Sequence, residues 1–158
     1  MEGILVINKP QEWTSHDCVA VCRRATGVKR VGHGGTLDPM AEGVLPVFIG
    51  RATRIMEYMD LGCKTYRCCM RLGIVTDTED IWGEILEERS IEGITEDQIR
   101  QTAESFCGDI LQKPPMYSAL KIKGRKLYEY ARQGITLDIQ PRPVRIENLE
   151  IEEIDLKR

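Results

Sequence analysis

Apolar residues fall in short runs whose spacing changes along the chain. Residues 3–7, GILVI, are a continuous apolar run closed by Asn8-Lys9-Pro10, the pattern of a buried strand entering a turn. A helix is predicted next: Thr14 and Ser15 offer N-caps, Cys18, Val21, Cys22 and Ala25 recur at i, i+3, i+4 and i+7, and Gly27 stands where a helix ends. That stripe faces inward and leaves Arg23 and Arg24 outside. Residues 28–42, VKRVGHGGTLDPMAE, carry neither period, and Gly32, Gly34, Gly35 and Pro39 predict a long constrained loop. GVLPVFIG, 43–50, reads as a strand that Pro46 assigns to an edge or a bulge, and 52–59 as a short helix.

The clearest alternation lies in 64–72. Tyr66, Cys68, Met70 and Leu72 share one face and Thr65, Arg67 and Arg71 the other, which predicts a strand with one buried and one basic side. A strand is expected around 82–88, then a helix opened by a Thr95/Gln98 capping box and an Ile94/Ile99 staple, with Ile99, Ala103 and Phe106 as its buried stripe and Gly108 as its stop. Pro114-Pro115 starts a rigid turn, Lys123-Gly124 centres a hairpin, and the short helix LYEYARQ ends at Gly134. The last segment, PVRIENLEIEEIDLKR, alternates with a change of phase near Asn148, the mark of a strand with a bulge or bend. Strands and helices do not alternate regularly, so the fold class is α+β, a mixed, largely antiparallel sheet flanked by helices.

A length of 158 residues suits one domain, and 42% hydrophobic with 30% charged residues excludes a disordered chain. The longest uncharged run, Gly43 to Gly50, is far short of the ~20 apolar residues that cross a bilayer, and the start MEGILVINKP has no export signal pattern, so a cytoplasmic protein without a membrane partner is expected. The six cysteines then stay reduced; they contain no Cys-x-x-Cys pair and are expected to be structural thiols. A net charge of −3 hides blocks: 77–109 holds eleven acidic and two basic residues, whereas 110–145, with KIKGRK inside it, holds eight basic and two acidic ones.

Candidate chemistry concentrates in GHGGTLDP, 32–39. Its glycines permit close backbone approach, and Pro39 holds Asp38 in an extended conformation. An ionised aspartate so held is aimed, fit to act as nucleophile or base; Asp-Pro after Gly-Thr is equally a turn in which the carboxylate caps an amide. The loop lacks either phosphate-cradle spacing. His16 and His33 are far apart in sequence and belong to no ligand cluster or nucleophile motif, which leaves no metal and no serine or cysteine triad.

Four stretches carry a resemblance: INKPQEWTSHDCV, RVGHGGTLDPMAEGVLPVFIGRATR, KTYRCCMRLGIVTDTEDIWGEI, and PPMYSALKIKGRKLYEYARQGI with RPVRI. In order and content they resemble the TruB family of bacterial tRNA pseudouridine synthases over nearly the whole chain. The resemblance implies an enzyme that flips uridine 55 from the T loop of tRNA, breaks its N1–C1′ bond and rejoins the ring through C5, with no cofactor. It implies Asp38 as the catalytic carboxylate, His33 beside the everted nucleotide, and Tyr66 stacked on the target base. Without it, Tyr66 reads as core beside Cys68, Met70 and Leu72, and His33 as a hydrogen-bonded loop residue. The basic stretch 119–145, including Arg142 and Arg145, becomes a contact for the T arm, with the acidic segment 77–109 before it; Lys9 and Arg30 also fall near RNA without an assigned role. Relatives continue past this chain's end with a Gly-Thr-Tyr-Ile-Arg-type motif, whose arginine pairs with the aspartate, and an RNA-binding extension. On that reading residues 1–158 are the N-terminal portion of a catalytic domain, monomeric, with little activity alone. A noncatalytic RNA-binding module of the same fold and a guide-RNA-dependent relative are the alternatives.

Overall fold

The computed structural model describes residues 1–59, 62–118, 120–122 and 124–156. Ala119 and Lys123 of the basic stretch, with Lys157 and Arg158, lie outside the described residues. The chain divides into two units, Met1–Arg67 and Cys68–Arg158.

In the first unit, strand β1 (Gly3–Lys9) leads into helix α1 (Ser15–Thr26), then β2 (Val31–His33) and β3 (Gly43–Ile49), in the sheet order β1-β3-β2 with both pairings antiparallel. The helix begins and ends where its sequence says: Thr14 and Asp17 close a capping box, and Gly27 takes the left-handed conformation, φ 69, with its N–H on Arg23 O. Its buried face is Ser15, Cys18, Val19 and Cys22, the expected spacing displaced by three residues, and Ala25 is exposed. Those thiols and Val19 pack with Val31, Leu45, Val47 and Ile49 into the core. The constrained loop is shorter than expected because Val31–His33 pairs with Val47–Ile49.

Pro46 lies in the central strand, against the expectation of an edge or a bulge. It stands one position past the last β2 pair, His33 with Val47, so the ladder has already ended, and its carbonyl still accepts from Gly34 N–H at 2.9 Å. Residues 50–58 make two 3₁₀ turns, Gly50–Arg54 and Met56–Tyr58, in place of one α-helix.

The expected strand over 64–72 does not form. This stretch has no sheet partner among the described residues, and Tyr66 and Met70 are 70% and 71% exposed. Alternation prepares a face for burial, but a strand also needs a ladder and a covering layer, which no local pattern supplies.

In the second unit β4 (Ile74–Thr76) pairs with β5 (Ile85–Glu88), and α2 (Glu96–Glu104) starts at the expected Thr95/Gln98 capping box. Its stripe is only half-buried at Ile99 and Ala103 and exposed at Phe106, and Gly108 opens a strand where it was expected to stop the helix. That strand, β6 (Gly108–Gln112), pairs with β9 (Arg142–Ile146), which ends before Asn148, so the proposed bend there has no strand to bend. Between them β7 (Lys121–Ile122) and β8 (Arg125–Lys126) form the predicted hairpin, followed by α3 (Leu127–Ala131), whose Leu127 is fully buried. Every strand pair described is antiparallel, an α+β arrangement. Of the cysteines, Cys18 and Cys22 are buried as expected; Cys63, Cys68, Cys69 and Cys107 are exposed free thiols and not core.

Candidate nucleotide site in the first unit

The backbone on both sides of Asp38 is gripped by the turn between β1 and α1. Leu37 is held by Ser15, whose hydroxyl donates to Leu37 O at 3.2 Å and accepts from Leu37 N–H at 3.0 Å. Pro39 is held through its carbonyl, which accepts from Glu12 N–H at 2.7 Å and from Lys9 Nζ at 3.3 Å. Glu12 reaches it in a left-handed conformation, φ 67, a cost of about 1–2 kcal/mol for a residue with a Cβ. Asp38 itself uses only its carbonyl, accepting from Ala41 N–H at 3.0 Å. Its carboxylate is exposed and takes no hydrogen bond from the described residues, which removes the reading of Asp38 as an amide cap.

Lys9 is the residue whose part in this site sequence reasoning missed. It is 0% exposed, and its ammonium donates to Pro10 O at 2.9 Å and Trp13 O at 2.7 Å as well as to Pro39. Three carbonyls therefore solvate a buried cation and tie β1, the turn and the Asp38 loop together. The available signal was register: counting back from Lys9, Ile7 and Leu5 share its face, and they pair with the buried Leu45 and Val47. An unbroken apolar run conceals that phase.

His33 ends β2 half-buried. Its Nδ1 donates to Gly35 O, so that nitrogen carries a proton and Nε2 remains available. His33 and Asp38 thus share one braced loop. Tyr66 is exposed on the irregular segment that follows the 3₁₀ turns, and among the described residues neither a hydrogen bond nor a ring contact joins it to His33 or Asp38. A surface hollow of about 340 Å³, lined by Arg23, Gly27, Val28 and Lys29, lies at the other end of α1 from the Ser15 clamp.

In the second unit the basic stretch is interleaved with aromatic rings. Arg125 lies 5.1 Å from the Tyr130 ring centre, and Lys126 and Arg132 each 5.3 Å from that of Tyr128. Arg145, expected to face RNA, is engaged with Glu147 at 2.8 Å and Asp109 at 3.2 Å. No group of three or more potential metal ligands occurs among the described residues, and no helix there is long and apolar enough to cross a membrane.

A family model described as TruB family pseudouridylate synthase (N terminal domain) matches residues 23–158. The tRNA pseudouridine synthase B of Alkaliphilus oremlandii is 53% identical over 154 residues, 98% of this chain and 51% of that protein. That of Geobacillus thermodenitrificans is 49% identical over 152 residues, 96% of this chain and 50% of that protein. Among solved structures, a chain from a Cbf5-Nop10-Gar1 complex is similar with a TM-score of 0.60 at 25% identity, over 97% of this chain and 36% of that one. The chain spans about half the length of the curated relatives it matches.

Proposed function

The chain belongs to the TruB family of pseudouridylate synthases, and on that premise we propose that it carries the reacting carboxylate of a tRNA pseudouridine synthase acting on uridine 55 of the T loop. The observation that carries the proposal is Asp38: its two neighbours are fastened by Ser15, Glu12 and Lys9 while its own carboxylate is left exposed and unpaired. A carboxylate placed this way needs little reorganisation to meet a substrate, which is what a reacting group requires and a turn cap does not.

A base inside folded RNA has to leave its stack before chemistry can reach it, so the uridine swings out and the RNA gives up stacking energy. In this reading His33 sits beside the everted nucleotide with Nε2 free, and Tyr66 offers an exposed ring to replace the lost stacking. Asp38 assists as the N1–C1′ bond breaks; the freed ring turns, C5 bonds to C1′, the C5 proton leaves to solvent, and N1 takes up a proton from solvent in its place. The product is an isomer of the substrate, with no redox change and no cofactor. The T arm's phosphates are assigned to the Lys and Arg residues of 119–145 other than Arg145, which Glu147 and Asp109 engage, and Tyr128 and Tyr130 add ring faces for unpaired bases.

Tritium release from tRNA labelled at uridine C5 tests the reading, measured with residues 1–158 joined to the C-terminal half of a tRNA pseudouridine synthase B, because this chain alone is expected to have little activity. Asp38→Asn is expected to abolish release and keep RNA binding; a variant that releases tritium normally would sink the assignment. The alternative within the same fold is a guide-RNA-dependent relative. Modification of a free T arm with no guide present discriminates against it.

A further inference from the structure

The two histidines, far apart in sequence, meet in the fold. The ring centres of His16 and His33 lie 6.0 Å apart with their planes at 87°, an edge-to-face pair. His16 is the second residue of α1, next to Ser15, whose side chain fastens Leu37. The first turn of α1 therefore holds the loop twice, by backbone at Leu37 and by a ring at His33.

The neighbouring acid does not fix the His16 ring. The Asp17 carboxylate is taken by Thr14, accepting from its N–H at 2.8 Å and its hydroxyl at 2.6 Å. His16 is exposed, and its ring makes no hydrogen bond among the described residues. Its ring packs against the other imidazole. His33, in turn, is fixed through Nδ1 by Gly35 O, a single hydrogen bond that still lets the ring tilt about the bonded nitrogen. A second ring packed edge to face is what limits that tilt and aims Nε2.

We propose that His16 is a positioning residue for the nucleotide site, orienting the His33 ring against the everted uridine. This rests on the functional reading above. The contact is one of shape and ring electrostatics, so a phenyl ring should replace it and a methyl group should not. Aromatic pairs of this kind correspond to about a 2- to 10-fold effect.

Because the chain contains only two histidines, ¹⁵N-histidine NMR shows only His33 once His16 is replaced. The expected results are that His16→Ala moves the His33 ring nitrogen shifts, His16→Phe leaves them near the parent values, and both variants melt with the parent. Titration with a T-arm stem-loop RNA should move the His33 signals in the parent and in His16→Phe. In the protein joined to the C-terminal half of a tRNA pseudouridine synthase B, tritium release should fall about 2- to 10-fold in kcat, with little change in KM, for His16→Ala alone. His33 shifts that ignore His16→Ala, or a His16→Phe as impaired as His16→Ala, would overturn the proposal. If the parent's His33 signals do not respond to the RNA, the functional reading fails and takes the nucleotide role with it, while the RNA-free spectra still decide the ring contact.

Discussion

Replacing Lys9 with methionine removes the buried ammonium and keeps most of the side chain's volume. Three charge-assisted hydrogen bonds disappear, to Pro10 O, Trp13 O and Pro39 O. At about 1.5–3 kcal/mol each, their gross loss is about 5–9 kcal/mol. Against this, the variant no longer strips a cation of water, a cost of several kcal/mol for a group 0% exposed. Pro39 O also keeps the Glu12 N–H at 2.7 Å, and Pro10 and Trp13 are exposed residues whose carbonyls can turn to water. The net expectation is a destabilisation of about 2 kcal/mol, or roughly 4–8 °C in Tm for a chain of this size. Urea and thermal unfolding measure it, with Lys29→Met, at an exposed lysine, as control. Well below the lowered Tm, Lys9→Met should still reduce tritium release, because the Pro39 side of the Asp38 clamp has lost a tether. A Lys9→Met protein as stable as the control would refute the reasoning that these carbonyls solvate a cation that holds the loop.

Tyr66→Leu should leave stability within about 0.5 kcal/mol, since the ring is 70% exposed, yet lower turnover if the ring stacks on substrate; a large fall in Tm would show that the ring is structural. Gly27→Ala forces a side chain into φ 69 at the end of α1 and should cost about 1 kcal/mol by urea unfolding, although nothing lies within 4 Å of the added carbon. At the start of the chain, Arg51 holds both Glu2 oxygens at 2.6 and 2.8 Å, and hydrogen bonding to that guanidinium lowers the Glu2 carboxyl from 4.5 to about 2. A depressed pKa contributes stability that is present above 4.5 and lost as pH falls toward 2, so Glu2→Gln should lose less stability than the parent over that interval. The pair lies at the surface, so high salt should narrow the difference; urea midpoints across the acid range check both statements.

Signals that close within a few residues were readable from the chain alone. Thr14 and Gly27 bound α1, Thr95 with Gln98 opens α2, and the turn beside Gly124 joins β7 to β8, because each is a hydrogen bond or a dihedral preference satisfied locally. The glycine and proline content of 32–39 likewise marked a braced loop carrying Asp38, and the motifs placed the chain in its family. Tertiary structure decided what depends on partners distant in sequence. The pairing of β2 with β3 set Pro46 in a central strand, the register of β1 turned Lys9 into the core, and the missing ladder left 64–72 without strand structure and Tyr66 exposed. Periodicity states which residues can share a face, whereas burial and pairing are settled by which other segment arrives to cover that face. The grip of Lys9, Glu12 and Ser15 on the residues flanking Asp38, and the meeting of His16 with His33, arise only when the β1–α1 turn and the loop are brought side by side.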